Sequence, residues 1–100
     1  MRKAMIINAK DNVAVVLEDV AAGGEVRAAG GGRSEAVKAI QTIPFGHKVA
    51  LADLPRGAEI YKYGEIIGRA STNIRAGEHV HIHNIEGTRG RGDLGPEGAR

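Results

Sequence analysis

The chain has 100 residues, no cysteine, no tryptophan, three aromatic residues and a formal net charge of +2 at pH 7. This bounds it to one small domain and excludes a disulfide scaffold, a thiolate metal centre and a cysteine nucleophile. No basic run interleaved with aromatics supports nucleic-acid binding, no apolar run reaches the ~20 residues of a membrane span, and the start has no signal-peptide segment, so the expected compartment is the cytoplasm.

Ile and Val together number 18 against four Leu, which favours strands over helices. Ala4 to Asn8 and Val13 to Glu18 are apolar runs separated by Ala9-Lys10-Asp11-Asn12, a turn-forming sequence, and predict a hairpin. After Gly23-Gly24, residues Glu25 to Ala29 read as a short strand that ends at Gly30-Gly31-Gly32. Ser34 to Ile43 fits two readings: a helix capped by Ser34 with Val37 and Ile40 on one face, or a strand entering a turn at Pro44.

From Ile43 onward one pattern recurs, aliphatic-x-x-Gly-x-x-aliphatic. It appears as Ile43 to Val49, Leu54 to Ile60 and Ile74 to Val80. Each copy predicts a buried anchor, a tight turn through glycine and entry into a strand. Offsets of 11 and 20 residues exclude a solenoid and point to a compact, turn-rich, mainly β domain over residues 1–85. Residues 86–100 contain five Gly and one Pro with only two hydrophobic residues, and predict a flexible tail.

Histidine is the concentrated chemical feature, as His47, His79, His81 and His83. In Glu78 to Asn84 apolar and polar residues alternate, so a strand would put the last three histidines on one face with Val80 and Ile82 in the core. Alternate residues on a strand face lie about 7 Å apart, within reach of one metal, whereas His79 and His83 would be about 13 Å apart. The metal reading therefore expects a two-histidine donor set completed by ligands from elsewhere, and the competing reading is a solvated strand face. His47-Lys48 and Lys62-Tyr63 lie beside turns, where the lysines could hold a carboxylate or sulfonate, or stand as ordinary surface charges. A neighbouring histidine could act as general acid or base.

Asp11 to Val15, Ile43 to Leu51 with its Gly46-His47-Lys48, Ile60 to Gly68 with its Lys62-Tyr63-Gly64, and Ile74 to Asn84 carry a resemblance. Together they resemble the N-terminal domain of the altronate and galactarate dehydratase family. Glu86 to Leu94 is similar to the ending of its stand-alone small subunits, including that of sulfolactate sulfo-lyase. The resemblance implies a SAF-type β-clip fold of short bent strands, and tips Ala36 to Gln41 toward a strand. It implies the small subunit of a two-component lyase, inactive without a larger, separately encoded catalytic subunit. The expected reaction dehydrates a sugar acid to a 2-keto-3-deoxy acid, with iron(II) or manganese(II) completed by the partner. Sulfite elimination from sulfolactate, and a non-catalytic sugar-acid-binding module, are the alternatives.

By matching motif, His81, His83 and His47 are the candidate catalytic residues. Lys48, Lys62, Tyr63 and Asn84 are the candidate substrate-binding residues. His81 and His83, with His79 behind them, are the candidate metal ligands. Unpaired strand edges also make self-association of the chain an expectation.

Overall fold

The computed structural model describes residues 1–87, which form nine strands and no helix. These are β1 (Arg2–Met5), β2 (Val13–Val16), β3 (Glu25–Gly30), β4 (Arg33–Lys38), β5 (Lys48–Ala50), β6 (Glu59–Lys62), β7 (Glu65–Ala70), β8 (His79–Val80) and β9 (Ile85–Glu86). A six-stranded sheet runs β4-β3-β1-β2-β5-β8, and a three-stranded sheet runs β6-β7-β9.

The first hairpin forms as the sequence predicts, with Ala4 opposite Val16 and Met5 opposite Val15. β1 also pairs in parallel with β3, from Arg2 opposite Val26 to Met5 opposite Ala29, a long-range pairing that no local pattern announces. The ambiguous segment is a strand: β4 pairs antiparallel with β3 from Glu25 opposite Lys38 to Gly30 opposite Arg33. It ends at Lys38, so the strand covers Ala36 to Lys38 of the expected stretch but not Ala39 to Gln41. Ala39 instead donates its backbone N–H to Gly24 and accepts one from Gly23, which locks it into the neighbouring turn.

The recurrent glycine pattern is the organising element, and it occurs four times. Besides the three copies from Ile43 onward, Val20-Ala21-Ala22-Gly23-Gly24-Glu25-Val26 repeats the same form. In every copy a backbone bond closes a four-residue turn: Gly24 to Ala21, His47 to Pro44, Ala58 to Pro55 and Glu78 to Arg75. The third residue of each turn is a glycine with φ between 85° and 90°, the type II conformation. The copies associate in pairs through isolated bridges, Val20 with Ile43 and Leu54 with Ile74. Within the second pair the caps are reciprocal. Asn73 Oδ1 accepts the Arg56 N–H at 2.9 Å, and Asp53 Oδ1 accepts the Ala76 N–H at 2.9 Å.

All eight aliphatic anchors of these copies are buried. Val20, Val26, Ile43 and Val49 join Ile6, Ala14 and Val16 in one core, while Leu54, Ile60, Ile74 and Val80 join Val13, Ala50 and Ala70 in a second. β2 and β5 feed both cores, Ala14, Val16 and Val49 entering the first and Val13 and Ala50 the second, so these strands are buried on both faces. The sheet continues through Glu86 in β9, one residue past the expected domain boundary; the tail expected to be flexible lies, from residue 88, outside the described residues.

Candidate functional site

The β5–β8 ribbon positions the histidines. Lys48 lies opposite Val80 and Val49 opposite His79, and continuing that register sets His47 opposite His81. Alternation then places His47, His79 and His81 on the face shared with Val49, and Lys48 on the other face with Val80. The Pro44–His47 turn delivers His47 to the start of β5, so the glycine pattern that builds the fold also builds the site.

His47 Nδ1 and His79 Nε2 are 2.9 Å apart, a hydrogen bond in which one neutral ring donates to the other. The rings of His47 and His81 stack at 4.1 Å between centroids. One nitrogen from each of His47, His79 and His81 falls within 4.8 Å of the other two, and all three side chains are partly buried. Three imidazoles so placed suit a divalent first-row metal, which would displace the inter-histidine hydrogen bond by taking both lone pairs.

The surroundings of His79 and His81 favour their neutral forms. Partial burial, then the charges of His83, His47, His81 and Lys48, lowers the His79 pKa below its ordinary 6.5. His81 is lowered in the same direction by partial burial and then by His47, Lys48 and His83. Metal ligation requires unprotonated nitrogen, so both shifts favour it.

Two expectations for this segment are corrected. The strand ends at Val80, and His81 to Asn84 form a turn closed by the Asn84 N–H to the His81 carbonyl at 3.1 Å. Ile82 therefore stands 83 % exposed and is not part of the core. The turn also folds His83 back, so its ring centroid lies 5.1 Å from that of His79, far nearer than a continuous strand allows. The cause is Asn84, which is buried with both ends of its amide engaged: Oδ1 accepts the His81 N–H at 2.9 Å and Nδ2 donates to the His79 carbonyl at 2.8 Å. A short amide three residues after His81 competes with the strand ladder for backbone groups, and that was the signal available in the sequence. Asn84 thus shapes the histidine turn from within.

The lysines form an adjoining group. Lys48 is half-buried, and burial followed by the charge of Lys62 lowers its pKa. Lys62 Nζ sits 4.8 Å from the centroid of the exposed Tyr63 ring. Lys48 also acts on His79 and His81 through its charge.

A mainly β fold with paired glycine turns and a histidine-rich ribbon defines the class of domain. Residues 2–88 match the family described as the altronate/galactarate dehydratase SAF domain. The chain belongs to that family. It is 47 % identical over 78 residues to altronate dehydratase of Escherichia coli (strain K12), covering 78 % of this chain and 15 % of that protein. Against galactarate dehydratase (L-threo-forming) of the same organism it is 40 % identical over 70 residues, 70 % of this chain and 12 % of that enzyme. It is 50 % identical over 44 residues to (2R)-sulfolactate sulfo-lyase subunit alpha of Chromohalobacter salexigens, 44 % of this chain and 47 % of that subunit. The chain therefore spans about a seventh of the dehydratases it matches, and about half of the lyase subunit. No helix among the described residues is long and apolar enough to cross a membrane.

Proposed function

We propose that the chain is the small component of a two-part lyase that dehydrates a sugar acid to a 2-keto-3-deoxy acid. The observation that carries this reading is the convergence of His47, His79 and His81 on one point, within reach of the Lys48 charge, in a domain of the dehydratase family. His47, His79 and His81 would hold a divalent metal, iron(II) or manganese(II), with the remaining ligands supplied by the larger component. A metal there would supply Lewis-acid polarisation of an oxygen on the substrate.

The chain's own residues supply the rest. Elimination removes the proton α to the carboxylate and expels the β-hydroxyl as water, leaving an enol that tautomerises to the 2-keto acid. Lys48 and Lys62 hold the carboxylate as point charges. His83, beside His79 but outside the convergent three, is the candidate base for the α-proton. Burial of these side chains against the larger component would exclude water and strengthen each charge.

A second reading, sulfite elimination from sulfolactate, is supported by the 50 % identity over 44 residues to a sulfolactate sulfo-lyase subunit alpha. One experiment separates the two. The matching segment of E. coli altronate dehydratase is replaced by residues 1–87, and keto-acid formation from altronate and galactarate is assayed beside sulfite release from sulfolactate. Keto-acid formation that is lost with His79→Ala supports dehydration. A folded chimera inactive on both sugar acids overturns it, and sulfite release supports the alternative.

A further inference from the structure

The tip of the β6–β7 hairpin breaks a local rule. Lys62 pairs with Glu65, so Tyr63 and Gly64 make a two-residue loop with φ of 61° and 76°. Positive φ at both central positions is the type I′ turn, which favours Asn followed by Gly. Tyr63 is the one non-glycine residue at positive φ among the described residues.

A buried carboxylate enforces this conformation. Asp11, 2 % exposed, accepts the Tyr63 N–H at 3.1 Å, the Gly64 N–H at 2.8 Å and the Asn8 N–H at 3.0 Å. Beside it, Asn12 Oδ1 accepts the Tyr61 N–H at 2.8 Å and Asn12 Nδ2 donates to the Glu59 carbonyl at 2.9 Å. The β1–β2 loop therefore clamps the hairpin through Asp11-Asn12. Yet the strained residue does nothing for the interior, since Tyr63 is 57 % exposed and its ring meets the Lys62 ammonium. The hydroxyl of Tyr61 is bonded to Glu59, whereas that of Tyr63 bonds to no group among the described residues.

We infer that Tyr63 is a ligand-contacting residue, held in its left-handed turn by Asp11 so that its phenol and the Lys62 ammonium meet a small hydroxy-acid anion together. This rests on the proposed role of Lys48 and Lys62 as the anion holders. The aromatic face steadies the ammonium, and the phenol donates to a carboxylate or hydroxyl oxygen that the ammonium has drawn in. Backbone strain at an exposed side chain is what a functional constraint leaves behind, because stability selects Asn at this position.

The test is calorimetric titration of the full chain with L-tartrate, with Mn(II) present and absent, alongside thermal melts. Tyr63→Asn is expected to melt about 3 °C or more above the parent chain and to bind tartrate about tenfold more weakly. Tyr63→Phe is expected to melt with the parent and to lose affinity. A lower melting temperature for Tyr63→Asn overturns the inference, because the ring is then structural. Equal tartrate affinity in all three chains also overturns it and leaves the lysine reading standing. Absence of tartrate binding by the parent chain overturns the lysine reading, and this inference with it.

Discussion

At the scale of single residues, the site depends on which imidazoles stay neutral. His79 and His81 have folded pKa values below 6.5, so the unfolded chain binds more protons once the pH falls past that value. Stability therefore rises with pH through that window and is lost on acidification toward the lowered values. The melting temperature of the metal-free chain should fall between pH 7.5 and pH 5, and fall less in His79→Gln. Asp11 belongs to the same scale, because its carboxylate satisfies three backbone donors in a buried position. Asp11→Ala strands them and should cost about 3 kcal/mol in chemical denaturation. Residue identities were the legible part of the site: all four histidines and both lysines stand out as chemistry in the bare sequence. The partnership of His47 with His79 and His81 was not legible, because it is created by a pairing across 32 residues.

At the scale of elements, the glycine turns carry the fold, and their glycines are not equivalent. Gly57, with φ at 90°, has nothing within 4 Å of where a Cβ would stand. Gly57→Ala should then cost only the left-handed backbone penalty, about 1–2 kcal/mol. At Gly77 the added Cβ would lie 1.9 Å from the Lys38 carbonyl oxygen, and the Ile40 N–H is bonded to the Gly77 carbonyl. Gly77→Ala should lower the melting temperature far more than Gly57→Ala and reach the histidine site through Glu78 and His79. The pattern was legible because spacing of glycine and aliphatic residues is local information. The alternation of Glu78 to Asn84 misled for a reason equally local: it records side-chain polarity, while the Asn84 amide decides the backbone path. The parallel pairing of β1 with β3 left no signal at all, since each strand is short and its partner is set by the global topology.

At the scale of the whole molecule, the described residues divide their apolar side chains between two small cores and gather the histidines on the β5–β8 ribbon. That arrangement brings three imidazole nitrogens together, with no acidic side chain in the convergent group. In the proposed function this group is one part of a larger active site, in a chain that spans about a seventh of the dehydratases it matches. The central claim is that His47, His79 and His81 form the metal site and His83 stands outside it. Titration of the metal-free chain with Mn(II), and with Fe(II) under anaerobic conditions, compares the parent with His47→Ala, His79→Ala, His81→Ala and His83→Ala. The account predicts one site per chain, weakened about tenfold or more by each of the first three substitutions and little changed by His83→Ala. Binding that survives loss of His47 or His79 but not of His83, or no binding by the parent chain, would contradict it.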